Sequence, residues 1–327
     1  MSWTRSKKTK NVHDLNAANV LVIGGSGFVG RAIANHLIQN GCLVTLLNRG
    51  NVLIPNTRQL VADRNNIEKM YAAALEGERH YDAVIDTSAL FDEQTRIARE
   101  VFHKKTDRWI HLSSAAVYKN NTRTKENDEI GGAEAWGDYG RNKSETDAFL
   151  LSQKEKPAVT ILRPPYIYGP GNNHDRETFI WSRVLRGRPV LIPGNGQTKI
   201  QFIHVQDAAA AVACVLKQAP ASEPQVYNIG DEEEITLQDY VSKLAAVAQF
   251  KDTGICLGER GSGFNPRQYF PFRDYPCVVD VNKIRDELDW KPQFNFLTGF
   301  QQTFSSYESN FLRDRLIETD VEDKIYI

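Results

Sequence analysis

Three glycines spaced three apart, Gly24, Gly27 and Gly30, stand directly between an apolar run and a helical repeat. That placement constrains the fold more than any other feature of the chain. Val20-Leu21-Val22-Ile23 is short, β-branched and wholly apolar, the pattern of a strand covered on both faces. Beyond the glycines, Phe28, Val29, Ala32, Ile33, Leu37 and Ile38 recur at helical spacing, and Asn40-Gly41 ends the helix. A second apolar run, Leu43 to Leu47, follows at once. Parallel strands need a covering helix between them, so residues 20–47 read as a βαβ unit.

The alternation continues. Strands are expected at 60–62, 83–85, 109–112 and 159–162, with helices over 67–75, 93–104 and 138–153. Strands spaced by helices predict an α/β fold with a doubly wound parallel sheet. After Arg163 the character changes, because Pro164, Pro165, Gly169, Pro170, Gly171, Pro189, Pro193, Gly194 and Gly196 crowd together and loops dominate. Helices are expected over 177–186, 207–217, 236–249 and 280–289, and Val226 to Ile229 reads as a strand returning to the sheet. The predicted division is a tail (1–18), a nucleotide-binding domain (19–165) and a smaller C-terminal substrate lobe (166–327), with segments near 201–230 crossing back.

Composition removes several classes. The chain has 327 residues, of which 41% are apolar, enough for a core without disulfides or structural metal. Forty basic and 41 acidic residues leave a net charge of −1, so no broad surface for nucleic acid or an anionic membrane is expected. Cys42, Cys214, Cys256 and Cys277 form no CxxC pair, which argues against a zinc ribbon or disulfide framework and for a reducing compartment, hence a cytoplasmic location. No apolar run approaches the length of a membrane span, and the basic start lacks the apolar stretch of a secretory signal. The remaining histidines show no zinc spacing, and His204, ahead of the 207–217 helix, reads as a structural hydrogen-bonding residue.

The glycine turn has a specific chemistry. Gly24 permits the tight turn, Gly27 lets the backbone approach a pyrophosphate, and Gly30 lets helix and strand pack closely, while the helix N-terminus offers free N–H groups. An acidic residue at the end of the second strand would favour NAD by binding the ribose hydroxyls. Asn48-Arg49-Gly50 stands there instead, and Arg49 suits a 2′-phosphate, so NADP is favoured over NAD. Asp63 and Arg64 are placed to cap the adenine. Phe28 and Val29 in the turn, Ser88 beyond the fourth expected strand, and Pro165 complete the expected cofactor contacts.

Tyr139 and Lys143 are four apart on an expected helix and so share a face, with Ser114 after the fifth strand. A phenol ordinarily loses its proton near pH 10; a neighbouring ammonium and an oxidised nicotinamide would both favour the phenolate. Tyr139 is thus the expected base, Ser114 a hydrogen-bond partner of the reacting oxygen, and Lys143 the group that also holds the nicotinamide ribose.

With these residues in view, positions 20–300 resemble an extended short-chain dehydrogenase/reductase of the NAD-dependent epimerase/dehydratase group. The shared segments are GGSGFVG, HLSSAAVY, YGRNK, LRPPYIYGPG, FIHVQDAAAAV, YNIG and LDWKP. RGRPVLIPGNGQTKIQFIHVQD, the PFRD of 271–274 and the C-terminal LIETDVED resemble the subgroup that includes the chloroplast stem-loop binding proteins. The resemblance implies a Rossmann domain, bound NAD(P), a nucleotide-sugar pocket in the smaller lobe, and a homodimer through helices near 93–104 and 138–153.

The departures narrow the reaction. Family dehydratases carry an acidic residue or pair just after the active-site Ser/Thr, and this chain has Ala115-Ala116, which cannot move a proton. Decarboxylases of the group, which keep a glutamate there, are disfavoured too. Tyr166 replaces an asparagine, and Ile200-Gln201 replaces an Arg-Asp pair. Arg273 becomes the expected contact for a substrate pyrophosphate, against a structural ion pair, with Lys199 behind it. Trp136, Tyr166 and Tyr168 are candidates to line the sugar pocket. The reading that follows is epimerisation of a nucleotide-activated sugar through a transient ketone, with NADPH-dependent carbonyl reduction or RNA binding on the same fold as alternatives. Neutral charge and the intact Ser114, Tyr139 and Lys143 argue against RNA.

Overall fold

The computed structural model describes residues 15–250, 256–257, 263–307, 311–314 and 317. The chain first alternates strand and helix: β1 (Asn19–Ile23), α1 (Phe28–Gln39), β2 (Leu43–Asn48), β3 (Arg58–Val61), α2 (Ile67–Glu76), β4 (Ala83–Asp86), α3 (Asp92–Phe102), β5 (Arg108–Leu112), α4 (Gly137–Leu151) and β6 (Ala158–Arg163). There follow β7 (Tyr166–Tyr168), α5 (Glu177–Val184), β8 (Leu191–Ile192), β9 (Lys199–His204), α6 (Val205–Leu216), β10 (Gln225–Asn228), β11 (Glu234–Thr236) and α7 (Leu237–Val247). The last elements are β12 (Cys256–Leu257), α8 (Asn282–Leu288), α9 (Phe296–Ser305) and α10 (Phe311–Asp314).

Seven parallel strands form one sheet in the order β10-β6-β5-β4-β1-β2-β3. Side chains alternate across it as strand geometry demands. Val20 and Val22 of β1 join Ile33, Leu37 and the alanines of α6 on one face, while Leu21 and Ile23 join Met70, Phe102 and Trp109 on the other. The small side chains of α6 let it pack against α1, as α3 packs between α2 and α4 on the opposite face. This is the Rossmann-type doubly wound α/β sheet expected. Its order reverses between β1 and β4, which opens a crevice at their C-terminal ends.

The second lobe holds more regular structure than its prolines and glycines suggested. A three-stranded sheet, β11-β9-β7, and the two-stranded β12-β8 pair frame an aromatic core of Tyr168, Phe202, Tyr240, Phe272, Phe296 and Phe300. Helix α9 was not foreseen; Asn295 caps it through a reciprocal box with Thr298. Val226 and its neighbours do return, with β10 pairing in parallel to β6. Leu15 is buried, and its carbonyl accepts from the Cys42 thiol, so packing starts ahead of Asn19. Most of the expected tail and nearly all of the LIETDVED segment lie outside the described residues. No helix among the described residues is long and apolar enough to cross a membrane.

Candidate active site

The glycine turn closes β1 onto α1. Gly24 holds φ at +84°, and a Cβ there would meet the Ser88 side chain at 2.4 Å. At Gly30 a Cβ would meet the Gly24 carbonyl oxygen at 2.3 Å, so only glycine fits this helix–strand approach. Gly27 differs, because its nearest neighbour would be Gly24 O at 3.7 Å, an ordinary contact. No described residue requires glycine there, and Gly27 lines the cleft. No side chain caps α1, whose first turn carries no acidic residue, so its N-terminal N–H groups face an uncontested cradle. These features fit a dinucleotide pyrophosphate.

From this turn a cleft of about 570 Å³ runs between the lobes. Of the expected residues, Gly24, Gly27, Phe28, Val29, Gly30, Ser88, Ser114, Tyr139, Lys143, Pro165, Tyr166 and Arg273 line it. Asn48 and Arg49 lie outside this cleft at the end of β2; the Asn48 side-chain carbonyl accepts from Gly50 N (2.7 Å) and Gln59 (2.8 Å), and Arg49 is exposed. Asp63, nearby, accepts from the Asn65 backbone and side chain, and these bonds with the Arg49 charge hold its carboxyl below the usual range.

Three residues are placed differently from expectation. Arg64 does not reach outward to an adenine; its guanidinium turns inward to fork onto Asp86 (2.8 and 2.9 Å). Lys199, at the exposed start of β9, pairs with Glu234 at 2.7 Å and lies off the cleft. Tyr168 is also away from it, stacked on Phe300 with ring centroids 3.9 Å apart.

Helix α4 carries Tyr139 and Lys143 on one face. Gly140 lets it close on the 115–117 turn, since a Cβ would meet Ala116 O at 2.9 Å. The Ser114 hydroxyl comes within hydrogen-bonding reach of the Tyr139 phenol. Tyr139 as a whole is 43% exposed, yet its hydroxyl sits among Ser114, Arg176, Arg273 and Cys277 inside the cleft. Desolvation there pushes the phenol above its ordinary range, opposed by the Ser114 hydrogen bond and the two guanidinium charges. Lys143 is buried, and its ammonium donates to the carbonyls of Ala89 (3.2 Å) and Leu112 (3.1 Å). Burial lowers its proton affinity, while Asp147 and Asp86 raise it.

The substrate side was only partly legible. Arg176 and Arg267 join Arg273, and no carboxylate pairs with any of the three among the described residues. Arg273 lies over the Trp136 ring (4.9 Å) and Arg176 over Tyr166 (4.8 Å), so aromatic faces hold the cations toward the cleft. Burial, then Arg273 and Arg176, lower the proton affinity of Arg267. The Tyr166 hydroxyl is buried and makes no hydrogen bond among the described residues. Burial pushes the Cys277 thiol up to about 12, which leaves it protonated. Ala115 and Ala116 are buried away from the cleft, whose described lining contains no Asp or Glu. Asn173, His174 and Arg176 sit in the loop ahead of α5 and Arg267 in a single short 3-10 turn (Pro266–Gln268), so no periodicity marked them. His204 caps α6 through a bond to Gln206 N (3.4 Å).

Similarity to known proteins agrees with this architecture. The chain is 28% identical over 302 residues to the chloroplast stem-loop binding protein of 41 kDa b of Arabidopsis thaliana, covering 88% of this chain and 78% of that one. It is 24% identical to the dTDP-glucose 4,6-dehydratase of Streptomyces niveus, covering 89% and 93%. The UDP-glucose 4-epimerase of Thermotoga maritima, solved with UDP-glucose, shares the fold with a TM-score of 0.73 at 20% identity, covering 88% and 98%. The dTDP-glucose 4,6-dehydratase of Bacillus anthracis, solved with NAD, does so at 0.75 and 21%, covering 90% and 97%. The description of the NAD dependent epimerase/dehydratase family matches residues 20–230. The chain therefore belongs to the NAD dependent epimerase/dehydratase family, enzymes of the extended short-chain dehydrogenase/reductase type.

Proposed function

We propose that this protein epimerises a nucleotide-activated sugar through a transient ketone. The observation that carries the reading is the cleft itself. It joins Ser114 and Tyr139 to three arginines that pair with no carboxylate among the described residues, and its described lining contains no Asp or Glu. Arginines held over aromatic faces suit forked binding of a pyrophosphate. Without an acid or base beside Ser114, elimination of water lacks its proton carrier, which separates this chain from the dehydratases among its relatives.

When bound, NAD(P) supplies a hydride acceptor and donor at the nicotinamide. Gly27, the open α1 N-terminus and Ser88 are the residues to hold its pyrophosphate side, and Lys143 and Pro165 the nicotinamide ribose side. Tyr139 takes the proton of the substrate hydroxyl, and Ser114 donates a hydrogen bond to the same oxygen. Lys143 keeps a positive charge beneath the site, held in place by two backbone carbonyls. Arg176, Arg267 and Arg273 would fix the anionic end of the substrate, so the sugar could turn within the cleft without leaving it. Tyr139 returns the proton once the opposite face has been reduced.

Exposed Arg49, with no acidic residue at the end of β2, supports NADP over NAD. It also keeps open net carbonyl reduction, in which the cofactor exchanges. A homodimer through α3 and α4 belongs to the same reading, with Phe91 half exposed at the start of α3. The deciding experiment incubates the protein with UDP- and dTDP-hexoses and follows both sugar configuration and free cofactor. Epimer formation with no net change in NADPH supports the proposal. Stoichiometric NADPH consumption replaces it with reduction, and salt-sensitive RNA binding without either would favour the RNA reading.

A further inference from the structure

Asp86, the last residue of β4, is fully buried and is the meeting point of contacts from four elements. Arg64 follows β3, and β2 and β1 lie between β3 and β4. Its side chain therefore crosses the C-terminal end of the sheet, at the crevice, to reach Asp86. It donates to both carboxylate oxygens (2.8 and 2.9 Å) and to the Ser88 hydroxyl (2.6 Å). Asp86 also accepts from Ser88 N (3.3 Å) and from the Thr95 hydroxyl of α3 (3.3 Å). Burial opposes the charge, but the Arg64 pairing outweighs it and keeps the carboxyl ionised.

Two consequences reach the cleft. Ser88 is the side chain packed against Gly24, so fixing Ser88 fixes the floor under the glycine turn. The next residue, Ala89, supplies one of the two carbonyls that hold the Lys143 ammonium. The chain Arg64–Asp86–Ser88–Ala89–Lys143 is continuous and thus joins the two ends of the cofactor crevice. His111 of β5 stands beside Asp86 at 3.9 Å, buried, with neither ring nitrogen in a hydrogen bond among the described residues, and burial pulls its pKa to about 3, so it stays neutral.

We propose that Asp86 is a positioning residue of the cofactor site, acting through Arg64 and the 87–90 loop on both the glycine turn and the seat of Lys143. The inference rests on the reading that the crevice holds NAD(P) and that Lys143 works charged. Asp86 and Asp147 are the anions favouring the Lys143 ammonium, and Arg64 opposes them. Loss of the Asp86 charge would leave Arg64 without its carboxylate, and would leave Lys143 with Asp147 as the favouring anion against the Arg64 charge.

The test is Asp86→Asn, with Thr95→Val as a control that removes a contact to Asp86 but no charge. Cofactor affinity is read by quenching of intrinsic tryptophan fluorescence, independently of turnover. Asp86→Asn should weaken NADP binding roughly tenfold to a hundredfold, the scale of a lost charge-assisted contact. The basic limb of its kcat profile should move to lower pH as Lys143 gives up its proton more easily. Thr95→Val should leave that limb unmoved. Wild-type affinity and an unmoved limb in Asp86→Asn would overturn the proposal, even if its melting temperature fell. If Asp86→Asn does not fold, Arg64→Lys keeps the charge and loses the fork; wild-type affinity in that variant overturns the proposal equally. Absence of NAD(P) binding in the wild-type protein would instead remove the underlying cofactor reading, and the inference with it.

Discussion

Tyr139 and Lys143 sit one turn apart on α4, yet their polar ends diverge: the phenol points to Ser114 in the cleft, and the ammonium is drawn to the carbonyls of Ala89 and Leu112. The lysine is thus held by the protein before any ligand binds. The main influences on the phenol's proton are instead desolvation, the Ser114 hydrogen bond and the Arg176 and Arg273 charges. That geometry divides the work between the two residues, and it makes separate predictions for the elements around them.

Gly27 and Gly30 should respond differently to alanine. Gly30→Ala drives a methyl into the Gly24 backbone, where a Cβ has only 2.3 Å, and should cost about 1–3 kcal/mol of stability. Gly27→Ala meets only an ordinary contact at 3.7 Å, so its melting temperature should change little while NAD(P) affinity drops. Thermal melts with and without cofactor check both. Equal cofactor affinity in Gly27→Ala and the wild type would show that the open cradle is not a binding surface.

Arg273 and Lys199 were both expected to meet substrate, and the structure separates them. Arg273→Ala removes a cation directed into the cleft and should raise KM roughly tenfold to a hundredfold with a small change in kcat. Lys199→Ala breaks only an exposed pair with Glu234 and should leave KM within about twofold. Steady-state kinetics on the two variants decides, and a reversed order would relocate the anion site.

Glu177 should make stability depend on pH. It is buried at the start of α5 with Asn172 as its donor, and burial raises its carboxyl to about 7, against 4.5 ordinarily. The folded chain therefore holds this proton where the unfolded chain has lost it, so the group's contribution weakens as pH rises from 4.5 through about 7. Glu177→Gln should gain up to about 3 kcal/mol relative to wild type on going from pH 5 to pH 8. Denaturant melts at the two pH values measure this, and a pH-independent difference would contradict it.

Much of the nucleotide half was legible because its physics is local. Val20 to Ile23 had to be covered on both faces, and Gly30 tolerates no side chain because the Gly24 backbone, six residues earlier, stands against it. The second lobe was harder because its strands are short and set among prolines. Tyr166 to Tyr168 and Lys199 to His204 pair with each other across more than thirty residues of sequence, a relationship no periodicity encodes. The same holds for the site. Ser114, Tyr139 and Lys143 follow from spacing, but Arg176 reaches the cleft through packing over Tyr166, and Arg267 through a turn that brings its guanidinium onto the Pro271 carbonyl. Arg64 misled for a related reason: its partner, Asp86, lies across two intervening strands of the sheet.

The most direct test of the account is conversion of a nucleotide hexose by Tyr139→Phe, measured beside wild type together with NADP affinity. The account predicts that kcat falls by about 10²–10⁴, the range for loss of a positioned base, while NADP binds within about threefold of wild type. Undiminished conversion by the phenylalanine variant would contradict it, because the proton would then be leaving the sugar by a route that does not pass through this phenol.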